Sequence, residues 1–127
     1  MKLLLDTCVF LVLVGESKRL PLEKRRIIAA AENQVFLSSV SAAEIAIKHS
    51  LGKLQLPTPP NLFVPRTRTL HQIDPLPLDE ASTLRLGELP LIHRDPFDRL
   101  LICQALAHNL TLVTFDAKIH RYGLPLL

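Results

Sequence analysis

Tryptophan is missing from this chain of 127 residues, tyrosine and methionine occur once each, and aromatics make up only 5%. The core must therefore be built from Leu, Ile, Val and Ala, which the 48% hydrophobic content readily supplies. Cysteine is also scarce. Cys8 and Cys103 have neither ligand-like nor framework spacing, and they read as free, buried thiols suited to a reducing cytoplasm. No apolar run approaches the roughly 18 residues of a membrane span. The apolar start at Leu3-Leu4-Leu5 is cut by Asp6, too early for a signal peptide. The histidines His49, His71, His93, His108 and His120 lack the paired spacing of a zinc site and read as surface or core residues. Ser38, Ser39 and Ser41 have no base beside them, which disfavours a serine nucleophile. Neither sign of charge dominates: Lys and Arg number 15 against 12 Asp and Glu, a net +3. That balance permits an acidic partner such as nucleic acid without demanding one.

The pattern that is present alternates strands with helices. Apolar runs at 2–5, 35–38 and 111–114 read as buried strands. Helices are expected over 9–14, over 22–32 after Pro21, and from a capping box at Ser41-Ala42-Ala43-Glu44 to about Leu51. A helix over 61–70 is expected to break at Pro65, and the two prolines in 73–78 predict a short, poorly paired strand. Residues 79–87 read as a helix capped by Asp79, 117–122 as one or two helical turns, and 124–127 as an edge strand. The best-marked helix begins at Asp95, a cap residue, with Pro96 at its first position. It is apolar on nearly every side through Leu106, as a helix buried on more than one face would be. We find no repeat or linker, so a single domain over 1–127 is expected. Its fold class is α/β, with a short, mostly parallel central sheet flanked by helices.

Ligands bind outside the carboxyl ends of such strands. Asp6, Glu44 and Asp116 follow strands, while Asp95 and Asp98 crown the buried helix. Gathered carboxylates repel unless a cation neutralises them, and all-oxygen ligands suit Mg²⁺ or Mn²⁺. Each acid taken alone is equally a helix cap or a partner of the helix dipole. Asp6, with no evident helix to cap, favours a functional role. Arg94 and Arg99 flank the acids as phosphate contacts or as solvated residues. Lys18, Arg19, Lys24, Arg25 and Arg26 form a basic cluster assigned to the second helix, either a solvated face or a track for an RNA backbone. The apolar helices 9–14 and 100–106 read first as core, second as a surface for self-association or a protein partner.

Four segments carry a resemblance: Leu4-Leu5-Asp6-Thr7, the run from Ser38 to Lys48, His93-Arg94-Asp95-Pro96-Phe97-Asp98-Arg99, and Leu112-Val113-Thr114-Phe115-Asp116. Together they resemble the signature segments of PIN-domain proteins, in particular the VapC-like toxins of type II toxin–antitoxin systems. The resemblance implies a PIN-like three-layer fold. It implies that Asp6, Glu44, Asp98 and Asp116 are the catalytic, metal-binding acids for Mg²⁺ or Mn²⁺, with Asp95 in support and Thr7 and Thr114 as nearby hydroxyls. It also implies an RNA substrate, a cognate antitoxin and a homodimer. The expected activity is a metal-dependent endoribonuclease. The alternative is a catalytically silent PIN-like module that binds nucleic acid or antitoxin. A phosphatase with Asp-x-Asp after its first strand does not fit, because Cys8 stands two residues after Asp6. The chain departs from the pattern at Cys8, at Phe115, and in having Leu11-Val12-Leu13 and Ala42-Ala43 where tryptophans are common. None of these removes a proposed ligand.

Overall fold

The computed structural model describes residues 1–15 and 17–127. Four strands form one sheet: β1 (Lys2–Leu5), β2 (Gln34–Ser38), β3 (Asp74–Leu76) and β4 (Thr111–Val113). Their order is β3-β2-β1-β4, and every pairing is parallel. The inner strand β1 is the most apolar, and Leu3, Leu4 and Leu5 are each 0% exposed. Side chains alternate across a strand. Accordingly Leu3 and Leu5 join one buried cluster with Val35, Leu37 and Val113, while Leu4 joins a second with Leu112. The first cluster is completed by helices α1 (Thr7–Val14), α2 (Leu22–Ala29) and α4 (Pro60–Leu70). The second is completed mainly by α6 (Pro96–His108), through Leu101, Ile102 and Ala105. Helix α3 (Ser39–Ser50) serves both clusters, giving Ile45 to the first and Val40 to the second. The sheet is thus a middle layer between helices, and Leu101, Ile102 and Ala105 of α6 are core.

Several element boundaries differ from expectation, each for a local reason. Helix α1 begins at Thr7 because Asp6 is its cap: Asp6 Oδ1 accepts the Val9 N–H at 2.7 Å. The expectation that Asp6 had no helix to cap was therefore wrong. Helix α3 starts earlier than the expected capping box. Ser38 is its cap, accepting the Val40 N–H at 3.0 Å. Ser41 instead lies inside the helix and accepts the Thr7 hydroxyl at 2.9 Å, tying α1 to α3. Helix α2 ends at Ala29, and the Asn33 side-chain amide donates to the Ile27 carbonyl at 2.7 Å. Strand β3 is a short edge strand, where Pro75 is tolerated. The expected helix over 79–87 is α5 (Glu80–Leu84), capped by Asp79 and continued by a 3₁₀ turn at Arg85–Gly87. The C-terminal tail pairs with β4 at a single bridge, Leu112 to Leu126.

Pro65 does not break α4, contrary to expectation. Pro65 is solvent-exposed, whereas Val64 beside it is buried in the core. Packing of the apolar face of α4 outweighs one missing backbone bond. Pro65→Ala should restore that bond and raise stability by about 1–2 kcal/mol in denaturant titration, after the extra freedom of the unfolded chain is subtracted. A loss of stability would show that Pro65 is shaped to its site.

Candidate active site

Helix α6 runs back along the sheet before β4, which brings its N-terminus to the carboxyl ends of the strands. Asp6, at the end of β1, and Asp116, beyond β4, reach the same edge. Glu44 arrives from α3. A cleft of about 370 Å³ opens there, and all four acids of the resemblance line it together with Asp95, Thr7 and Lys48.

Burial and mutual repulsion mark these carboxylates. Burial raises the Asp6 pKa, the Thr114 side chain and the Val9 N–H lower it, and Glu44 and Asp116 raise it again, leaving it above the ordinary value. Burial and the charge of Asp95 push Asp98 up to about 7, with further help from Asp6 and Glu44, against the pull of His93. Asp116 is different. Its partial burial is outweighed by the Lys118 N–H and by His93, so its pKa is lowered. Glu44 Oε2 accepts from Lys48 Nζ at 2.5 Å, and this bond raises the Lys48 pKa. Glu44 Oε1 is buried and has no hydrogen-bond partner among the described residues. A buried, unpaired carboxylate oxygen is costly unless something fills it. The donor set, rich in carboxylate oxygen, therefore fits a hard divalent cation.

His93 is the residue that sequence reasoning missed. Its Nε2 lies 2.6 Å from Asp116 Oδ2 and 3.1 Å from Asp98 Oδ2, and these three side chains are grouped tightly enough to share an ion. Histidine spacing does not mark it, because its partners are the acids Asp98 and Asp116. Its place two residues before the Asp95 cap was the available signal. Arg19 was also misplaced. It precedes α2, lines the cleft, lies 4.5 Å above the Phe115 ring and donates to Cys8 Sγ at 3.4 Å. Cys8 is exposed rather than buried, and Cys103 is buried as expected. The rest of the basic cluster is partly occupied: Arg25 donates to the carbonyls of Ser17 and Leu20, and Lys24 to that of Leu127.

The supporting residues divide. Asp95 caps α6, accepting the Phe97 N–H at 2.9 Å. Thr114 accepts the Asp116 N–H at 3.0 Å, and its side chain holds the Asp6 pKa down. The Thr7 hydroxyl donates to Ser41, so it does not donate to a carboxylate. Arg99 departs from expectation. Its guanidinium donates to the carbonyls of Leu89, Pro90 and His93, so it is engaged with backbone rather than offered to phosphate. Arg94 is exposed beside the cap.

The profile of the PIN domain family matches residues 3–124. The chain belongs to the PIN-domain family. Ribonuclease VapC16 of Mycobacterium tuberculosis is 41% identical to it over 61 residues, 48% of this chain and 43% of that protein. The match thus spans less than half the length of that relative. Among solved structures, VapBC2 from Rickettsia felis, bound to a DNA fragment from its promoter, superposes with a TM-score of 0.75 at 21% identity, covering 100% of this chain and 98% of that one. VapBC-1 from nontypeable Haemophilus influenzae follows at 0.70 and 20% identity, covering 100% and 97%. Both likenesses bear on the fold. They agree with a PIN domain built on a short parallel sheet between helical layers. No described helix is long and apolar enough to cross a membrane.

Proposed function

We propose that this PIN domain is a metal-dependent endoribonuclease, the toxin of a type II toxin–antitoxin pair, acting in the cytoplasm. The observation that carries the reading is Glu44 Oε1, a buried oxygen without a partner among the described residues, in a cleft that Asp6, Asp98 and Asp116 also line. These four acids would hold Mg²⁺ or Mn²⁺. Such an ion, when bound, lowers the pKa of water and offsets charge on a phosphodiester in its transition state.

The protein's own part is preorganisation. Oδ1 of Asp6 is anchored by the cap of α1. Lys48 offsets one charge on Glu44 while leaving Oε1 available. Asp95 is spent on capping α6, so it supports the helix that presents Asp98. Arg19 and Arg94 are the cations we assign to the RNA backbone. The likeness to Ribonuclease VapC16 supports RNA over DNA as the substrate, and the VapBC neighbours support an antitoxin partner. We extend the resemblance to a homodimer.

The test is cleavage of end-labelled RNA and matched DNA by purified protein in Mg²⁺, Mn²⁺ or EDTA. RNA cleavage that EDTA abolishes is expected. Melting in the same buffers adds a measure independent of activity. At a Mn²⁺ concentration one hundred times its Kd, the protein should gain about 2.7 kcal/mol, read as a rise of several degrees in melting temperature. Metal binding without cleavage of either nucleic acid would favour the silent module instead.

A further inference from the structure

We propose that Tyr122 is a positioning residue of this site, acting through the 89–93 loop on the His93 imidazole. Tyr122 ends the 3₁₀ turn Ala117–Tyr122, and Asp116 caps that turn by accepting the Lys118 N–H at 2.9 Å. The Tyr122 hydroxyl is fully used. It accepts the N–H groups of Ile92 at 3.1 Å and His93 at 2.7 Å, and it donates to the Pro90 carbonyl at 2.9 Å. One donor and two acceptor positions are all that a phenol offers. Arg99 grips the same loop from α6, donating to the carbonyls of Leu89 at 3.3 Å, Pro90 at 3.1 Å and His93 at 3.2 Å.

The loop so held determines the imidazole. His93 Nδ1 accepts the Asp95 N–H at 3.1 Å, which leaves the proton of the neutral ring on Nε2. Nε2–H then donates to Asp116 Oδ2 at 2.6 Å, with Asp98 Oδ2 at 3.1 Å. The connections close on themselves. Asp116 caps the turn that carries Tyr122, Tyr122 holds the loop that carries His93, and His93 holds Asp116. The circuit sets the spacing between one carboxylate from α6 and one from beyond β4. Residues that orient ligands without touching the reacting atoms typically contribute tenfold to a hundredfold in metal affinity or activity.

Tyr122→Phe keeps the ring and removes only the hydroxyl. It should lower kcat for RNA cleavage about tenfold with little change in KM, and weaken Mn²⁺ binding in calorimetry by a similar factor. In a His93→Ala background the same change should have no further effect on Mn²⁺ affinity. Equal effects of Tyr122→Phe with and without His93 would overturn the proposal, since the hydroxyl would then act by another route. So would a variant with wild-type kcat and Mn²⁺ affinity. The cleavage and metal measurements rest on the ribonuclease reading, so a third one does not. Imidazole ¹⁵N resonances of metal-free wild type should show His93 as the Nε2–H form, and Tyr122→Phe should average that signal between tautomers. An unchanged signal in folded Tyr122→Phe would refute the clamp even if RNA is cleaved. Wild type that shows the signal but cleaves no RNA would refute the activity and leave the clamp standing.

Discussion

Asp98→Asn is expected to reduce RNA cleavage by at least about a hundredfold while raising the melting temperature of the metal-free protein. The two effects have opposite signs because one charge serves two purposes. In the folded protein the Asp98 pKa lies at about 7, raised by burial and by Asp95. Its unfolded value lies near 3.9. Between those values the folded state binds more protons than the unfolded one, so stability falls as pH rises. The loss is absent below about pH 4 and complete above about pH 7. Asparagine carries no charge and escapes it. The carboxylate is 22% exposed, so solvent screens part of the repulsion. We therefore expect a gain of about 1–3 kcal/mol at pH 8 in EDTA, shrinking toward zero at pH 4. In Mn²⁺ the order should reverse, because wild type gains binding energy that the variant lacks. Asp95→Ser is the companion variant. It keeps a cap oxygen, so stability should change little and activity should fall only partly. Melting from pH 4 to 8, paired with Mn²⁺ calorimetry, checks both. If Asp95→Ser loses the metal and Asp98→Asn retains it, the site hangs from the cap residue.

The edge of the sheet was legible because strand periodicity and apolar runs are local signals. Leu3 to Leu5 read as a buried strand, and a parallel sheet directs whatever follows its strands to one edge. The start of α6 was equally plain, since Asp95 and Pro96 are both start signals. What the chain concealed depends on distance. Ser41 reads as the cap of α3, and only the Val40 N–H bond to Ser38 and the Thr7–Ser41 bond across α1 and α3 show that Ser38 is the cap. Pro65 reads as a breaker until the buried Val64 shows what holds α4 together. His93 and Tyr122 are 29 residues apart, and no periodicity links them. Arg99 stands one residue after a proposed ligand, yet its donors face backbone carbonyls, which residue type alone does not reveal.

Asp6 carries both of its readings at once, and two substitutions separate them. Oδ1 caps α1 through the Val9 N–H, while the same carboxylate lines the cleft beside Glu44 and Asp116. Asp6→Asn keeps an oxygen for the cap and removes the charge. Its fold should survive, and metal-free stability should hold or rise, because Asp6 is itself raised in pKa by burial and by those neighbours. Asp6→Ala removes the cap as well and should be less stable than Asp6→Asn by about 1 kcal/mol, within a range of roughly 0.5–2. Both should lose Mn²⁺-dependent cleavage alike, by at least about a hundredfold. Parallel activity with divergent stability would place capping and metal binding on the same side chain. Undiminished cleavage by Asp6→Asn would leave Asp6 as a helix cap alone. The metal would then belong to Glu44, Asp98 and Asp116.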